Sequence, residues 1–172
     1  MYDPSPTPGH PVVIAGVMPN QPADVVREAA TFAARLGAEL VCAYVDVTRY
    51  TVDEDADGTV TTFPLDPEVP DVEVERFDPA LARELEAVLN PIDVRWSTRA
   101  LAGEPAQSLA HLADLFDAEL IVVGTRHSGI RASMHEFFGG SVAVHLTHRQ
   151  HRPVLVVPLN PVAPGEKLPW ET

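Results

Sequence analysis

Leu120-Ile121-Val122-Val123-Gly124 decides how this chain folds. Four apolar residues run without a polar break and stop at a glycine, the pattern of a strand buried on both faces. The run follows a helical stretch opened by Pro105, in which Leu109, Leu112, Ala113 and Phe116 recur at helical spacing. A helix feeding a strand with no solvent face requires a sheet covered on both sides, which is an α/β architecture.

The same unit recurs outward in both directions. Val12-Val13-Ile14-Ala15 is a second short apolar run. It is followed by Asn20-Gln21-Pro22, with Asn20 as candidate N-cap, and by a helix carrying Val25, Val26, Ala29, Ala30, Phe32, Ala33 and Leu36 that Gly37 ends. Leu40 to Val45 reads as the next strand, Asp78-Pro79 opens a helix striped by Leu81, Leu85, Val88 and Leu89, and Asn90-Pro91 stops it. Val94 to Ala100 is the third strand, Leu120 to Val123 the fourth and Val154 to Val157 the fifth, with a helix around Ser141 to His148 between the last two. Alternating elements of this kind give right-handed crossovers and one doubly wound parallel sheet. In such sheets ligands bind beyond the carboxyl ends of the strands, at the point where strand order reverses. The loop after Gly124 is therefore the first place to look for a site.

The length of 172 residues fits one domain, for which roughly 100–200 residues is usual. Residues 1–10 form a proline-rich leader, 11–158 the α/β domain and 159–172 a proline-rich tail; the leader is read as loose. Within the domain, residues 46–77 break the rhythm. Nine acidic residues and no lysine or arginine lie between Asp53 and Glu75, and Asp57-Gly58 between Thr51-Val52 and Val60-Thr61 suits a hairpin turn. This segment reads as a partly mobile, solvated surface excursion. The formal net charge of −13 repels phosphodiester backbones and anionic lipid, so neither nucleic acid nor membrane is an expected partner. The single Cys42 in an apolar run excludes an internal disulfide and fits a reducing, cytoplasmic location.

Other constellations offer less chemistry. Six of the seven histidines fall between His111 and His151, but His145, His148 and His151 span a helix end and a loop, and their spacing encodes no metal geometry. Asp53, Asp55, Asp57 and Gly58 copy the start of a calcium loop whose twelfth position is Pro64 instead of a bidentate glutamate. No metal is expected. No motif sets a base beside a nucleophile, so no catalytic residue is assigned; a hydrolase built from the loop after Gly124 would need His127 beside a nucleophile.

Gly103-Glu104-Pro105, the run Asp117-Ala118-Glu119-Leu120-Ile121-Val122-Val123-Gly124-Thr125-Arg126, then Gly140-Ser141-Val142 and Arg152-Pro153-Val154-Leu155-Val156-Val157-Pro158 together resemble the second half of a universal stress protein. The resemblance covers nearly all of residues 11–158 and implies a five-stranded sheet of order 3-2-1-4-5, with the switch point between strands one and four. It also implies a cytoplasmic homodimer paired through Val154–Val157, and a ligand loop for ATP or another adenine nucleotide.

Nucleotide-binding members carry Gly-x2-Gly-x9-Gly-Ser/Thr after the fourth strand. Gly124 holds the first position here, His127 replaces the second glycine, and Gly140-Ser141 arrives three residues late. Where those members place an aspartate after the first strand, this chain has Val17, next to Gly16. The implied ligand contacts are thus Gly16, Val17, Gly124, Thr125, Arg126, His127, Gly140, Ser141 and Val142. Arg126, His127 and Arg131 could meet phosphate directly, and Gly140-Ser141 keeps a helix-start anion site. The alternatives are a loop closed over by Phe137 and Phe138, a different small ligand in the same crevice, slow ATP hydrolysis, and a family member that acts through protein contacts of the acidic segment 53–75 and the long loop.

Overall fold

The computed structural model describes residues 5–66, 68, 71–125, 142–159, 161 and 165. A five-stranded parallel sheet forms the centre, built from β1 (Val12–Gly16), β2 (Glu39–Asp46), β6 (Trp96–Ala102), β7 (Leu120–Gly124) and β8 (Val154–Val157). Their order is β6-β2-β1-β7-β8, which is 3-2-1-4-5 when the sheet's own strands are counted, as expected. The register places Ile14 beside Val41 on one side and beside Ile121 on the other.

Successive strand residues point to opposite faces, and each face feeds a separate core. Ile14, Val41, Ile121 and Val123 pack under α3 (Pro105–Leu115) and α4 (Val142–Arg149) through Leu109, Leu112 and Leu146. Val13, Ala15, Leu40, Cys42 and Val122 pack under α1 (Asp24–Leu36) and α2 (Pro79–Leu89) through Val25, Ala29, Ala33, Leu81 and Leu85. The Cys42 thiol is wholly enclosed there, and burial pushes it up to about 12, so it stays a protonated packing group.

Local chemistry sets most helix ends. Asp78 accepts from the Ala80 amide at 2.7 Å ahead of Pro79. Glu104 accepts from the Ala106 and Gln107 amides at 3.1 and 2.9 Å ahead of Pro105. Gly37 closes α1 in the left-handed conformation. Asn20 does not cap α1: the helix starts four residues later, after Ala23, with no side-chain cap, and Asn20 itself takes a φ of 60° in the turn before it. Pro22 separates that turn from the helix.

The described residues of the acidic excursion form an arm built of three strands. β3 (Arg49–Glu54), β4 (Val60–Pro64) and β5 (Glu73–Val74) form an antiparallel sheet of order β3-β4-β5 beside the main one. Its turn is docked instead of solvated. Gly58, at φ 82°, sits so close to α3 that a Cβ would lie 3.0 Å from Leu115 and 3.5 Å from Leu112. Val60 joins the core under α3. The three strands are held by Arg49, whose guanidinium is nearly buried. It donates to the Thr62 hydroxyl at 2.7 Å and to the Asp71 carbonyl at 2.6 Å, and it pairs with Glu73 at 3.2 Å and Glu75 at 3.6 Å. Asp57 accepts from the Thr59 amide, a bond that lowers its pKa, so the would-be calcium ligand serves the turn.

The described part of the leader also makes contacts: the Thr7 amide donates to the Glu39 carboxylate, and Arg99 of β6 donates to the Ser5 hydroxyl at 3.2 Å. At the opposite edge, Arg152 ties the start of β8 to the turn before β7. It donates to the Ala118 carbonyl at 2.7 Å and pairs with Asp117 and Asp114.

Candidate functional site

The strand order reverses between β1 and β7, so the carboxyl ends of these two strands frame the crevice. On the β1 side, Gly16 lies against α3: a Cβ there would be 3.1 Å from Leu109 and 3.4 Å from Val123. Val17 extends the β1–β2 ladder by donating its amide to the Ala43 carbonyl at 2.9 Å. Its side chain is buried in the core under α1. Val17 therefore offers the crevice no acceptor, in keeping with the absence of a carboxylate at this position.

On the β7 side, the space that a side chain on Gly124 would need is taken by the chain itself. A Cβ would lie 2.9 Å from Leu159, 2.9 Å from Val25 and 3.1 Å from the Gln21 amide nitrogen. Thr125 is engaged through its amide and its hydroxyl oxygen. Its amide donates to the Val157 carbonyl and its hydroxyl accepts from the Leu159 amide, both at 2.8 Å. Gly124 is thus required for packing whatever it does for a ligand. Val142 begins α4, half-buried against the core under α3. Arg126, His127, Gly140 and Ser141 lie outside the described residues, as do Arg131, Phe137 and Phe138.

Two residues of this crevice escape a reading by motif. Leu159 reaches back from beyond β8, a contact with no local signal. Gln21 follows the β1 turn, where its backbone N–H donates to the Met18 carbonyl at 3.3 Å. Its side-chain oxygen is buried and has no hydrogen-bond partner among the described residues. A buried acceptor left unmet costs about 1–3 kcal/mol, so its presence at a switch point marks a place where a donor belongs. The signal in the sequence is a polar side chain five residues beyond the end of a buried strand.

The described histidines are spread over several parts of the fold, and His127 and His135 fall outside the described residues. His111 meets Glu54 of the arm at 2.6 Å, and His145 lies 3.7 Å from Glu104. Among the described residues no three histidine, cysteine or acidic groups are arranged to hold a metal. An open groove of about 360 Å³ on the outer side of α3 and α4 is lined by Gln107, Ala110, His111, Asp114 and Arg149, away from the strand ends. No described helix is long and apolar enough to cross a membrane.

The sequence model of the universal stress protein family matches residues 12–158. No curated protein sequence matches the chain. Among solved structures, a universal stress protein in complex with cAMP superposes with a TM-score of 0.55 at 21% identity, over 88% of this chain and 98% of that one. A universal stress protein from Archaeoglobus fulgidus gives 0.53 at 18% identity, over 86% and 93%. The Archaeoglobus fulgidus protein in complex with dAMP gives 0.51 at 19% identity, over 86% and 97%. With the family's sequence pattern spanning both halves of the sheet and its strand order reproduced, the chain belongs to the universal stress protein family.

Proposed function

We propose that this protein is a cytoplasmic, dimeric stress-response sensor whose crevice between β1 and β7 takes a small ligand of nucleoside type, an adenine nucleotide such as ATP being the first candidate. The observation that carries the reading is the unmet, buried side-chain oxygen of Gln21 beside Gly124. An exocyclic amine or a ribose hydroxyl would supply the donor that this oxygen lacks, in the role the missing aspartate would otherwise fill. Two structural neighbours solved with cAMP and dAMP support the same ligand class. Gly16, Gly124 and Thr125 shape the walls, and Arg126, His127, Gly140 and Ser141 are proposed for the phosphate end, where guanidinium, imidazole and a helix start suit an anion. No turnover is proposed, since no motif in the sequence sets a base beside a nucleophile.

Thermal melting against ATP, ADP, AMP and cAMP, with and without magnesium, tests the reading. A saturable rise is expected for at least one nucleotide, because a ligand that prefers the folded state stabilises it. Gln21→Met should raise ligand-free stability by about 1 kcal/mol, by removing an unsatisfied acceptor, and weaken the same nucleotide about tenfold. A flat panel at millimolar nucleotide sinks the proposal.

The dimer is proposed through β8. This strand pairs with β7 on one side, and Val156 is 41% exposed on a sheet edge where a second copy can add its own strand. Sedimentation velocity should show a dimer that Val156→Lys turns into a monomer; a monomeric parent protein would remove the idea. A second reading, a protein-interaction module, is favoured by the exposed apolar face of the arm.

A further inference from the structure

The arm has two unlike faces. Val60, Thr62 and Pro64 of β4 are buried toward the body, so the alternate residues of the arm face outward. The register sets Tyr50 opposite Phe63 and Val74 opposite Thr61. The Tyr50 and Phe63 rings pair at 5.9 Å between centroids. Tyr50, Val52, Val72 and Val74 are between 43% and 58% exposed. Single exposed apolar residues are commonplace, but a contiguous aromatic and β-branched face on a small sheet is not.

This face is presented rigidly. Arg49 clamps its three strands from behind, and Gly58 and Val60 fasten it to α3. Around it stand Asp53, Asp55, Asp57, Asp66, Glu68, Asp71 and Glu73, all exposed. The exposed charges from Asp53 to Glu73 are all negative, and the formal net charge of the molecule, −13, has the same sign.

We infer that the outer face of β3-β4-β5 is a docking surface for a protein segment whose apolar or aromatic strip is flanked by lysine and arginine. The proposal rests on the protein-interaction reading and not on the crevice. Charge decides the occupant. A second copy would bring a second acidic rim against the first, which costs free energy, and nucleic acid or anionic lipid is repelled for the same reason. A basic rim around an apolar strip satisfies both features at once: the charges speed and orient encounter, and covering the outward-facing Tyr50–Phe63 pair supplies the affinity.

The test is a fluorescence-anisotropy titration of the full chain with a labelled peptide of alternating lysine and valine or tyrosine, beside a peptide in which glutamate replaces every lysine. Saturable binding of the basic peptide alone is expected, weaker at high salt. Tyr50→Ser combined with Val74→Ser leaves every charge in place and should reduce affinity about tenfold or more, since aromatic anchors dominate such contacts. Val144→Ser, a similar change at an exposed position on α4, should leave affinity unchanged. Equal binding by the parent and the double variant would show attraction by net charge alone and overturn the proposal. So would no binding, or self-association through this face in sedimentation that the double variant abolishes. Nucleotide-dependent melting of the double variant reports on the crevice separately, so failure at one surface is not read as failure at the other.

Discussion

Arg49→Met lowers stability by about 3 kcal/mol at neutral pH, the cost of leaving a buried charge without its partner. The guanidinium is 11% exposed and serves three strands at once, while Glu75, at 10% exposed, has few other ways to meet its charge. Glu73 is half-exposed and contributes little to the figure, because solvent screens it. Burial already raises the Glu75 carboxyl above its ordinary range, with the Thr62 hydroxyl and Arg49 opposing that rise. Removing Arg49 raises it further. A carboxyl whose folded pKa is raised favours the folded state below its unfolded pKa and loses that contribution as pH rises through the folded value. The penalty of the variant should therefore shrink as pH falls from neutral through the raised pKa of Glu75, where the carboxyl takes up a proton. Urea unfolding at neutral and at acidic pH checks this, with hydrogen exchange over residues 49–74 to locate the loss. A penalty below about 1 kcal/mol at neutral pH would mean that the arm is held by Gly58 and Val60 alone.

Gly124→Ala is expected to cost about 2 kcal/mol, through overpacking. Val25 is wholly buried and cannot retreat, so Leu159 must give way. The Leu159 amide then loses the Thr125 hydroxyl, and its hydrogen exchange should accelerate toward the rate of an open chain. The substitution separates two roles that the same glycine could serve. A glycine needed only to bring backbone close to a ligand would tolerate alanine in the ligand-free protein and lose affinity alone. An unchanged melting temperature without ligand would contradict the packing role.

The parts of this fold that were legible in the sequence are those fixed by near neighbours. Val12–Ala15, Leu40–Val45 and Leu120–Val123 each announce a two-sided strand by having no polar break, and Asp78-Pro79 and Gly37 announce helix ends by their own side chains or lack of one. What escaped depends on residues distant in sequence. The segment from Asp53 to Glu75 looks solvated because its acids and prolines are local, whereas its anchor is Val60 in a core assembled from α3, β1 and β7. Asn20 has the chemistry of a cap, yet Pro22 and the turn at Met18–Gln21 move the helix start downstream. The importance of Gln21 and Leu159 arises only when β1, β7 and the chain beyond β8 converge on Gly124. The resemblance supplied the strand order that periodicity alone leaves open.

Thr125 stands between two bonds, to the Val157 carbonyl on one side and the Leu159 amide on the other. The floor of the crevice and the end of the outermost strand are therefore one continuous hydrogen-bonded unit. Were a shift of this unit at one end felt at the other, thermodynamics would make the coupling reciprocal. If an occupant of the crevice strengthens pairing along β8, pairing must strengthen the hold on that occupant by the same factor. The sensitivity of such a protein would then be set by its own concentration as much as by that of its ligand.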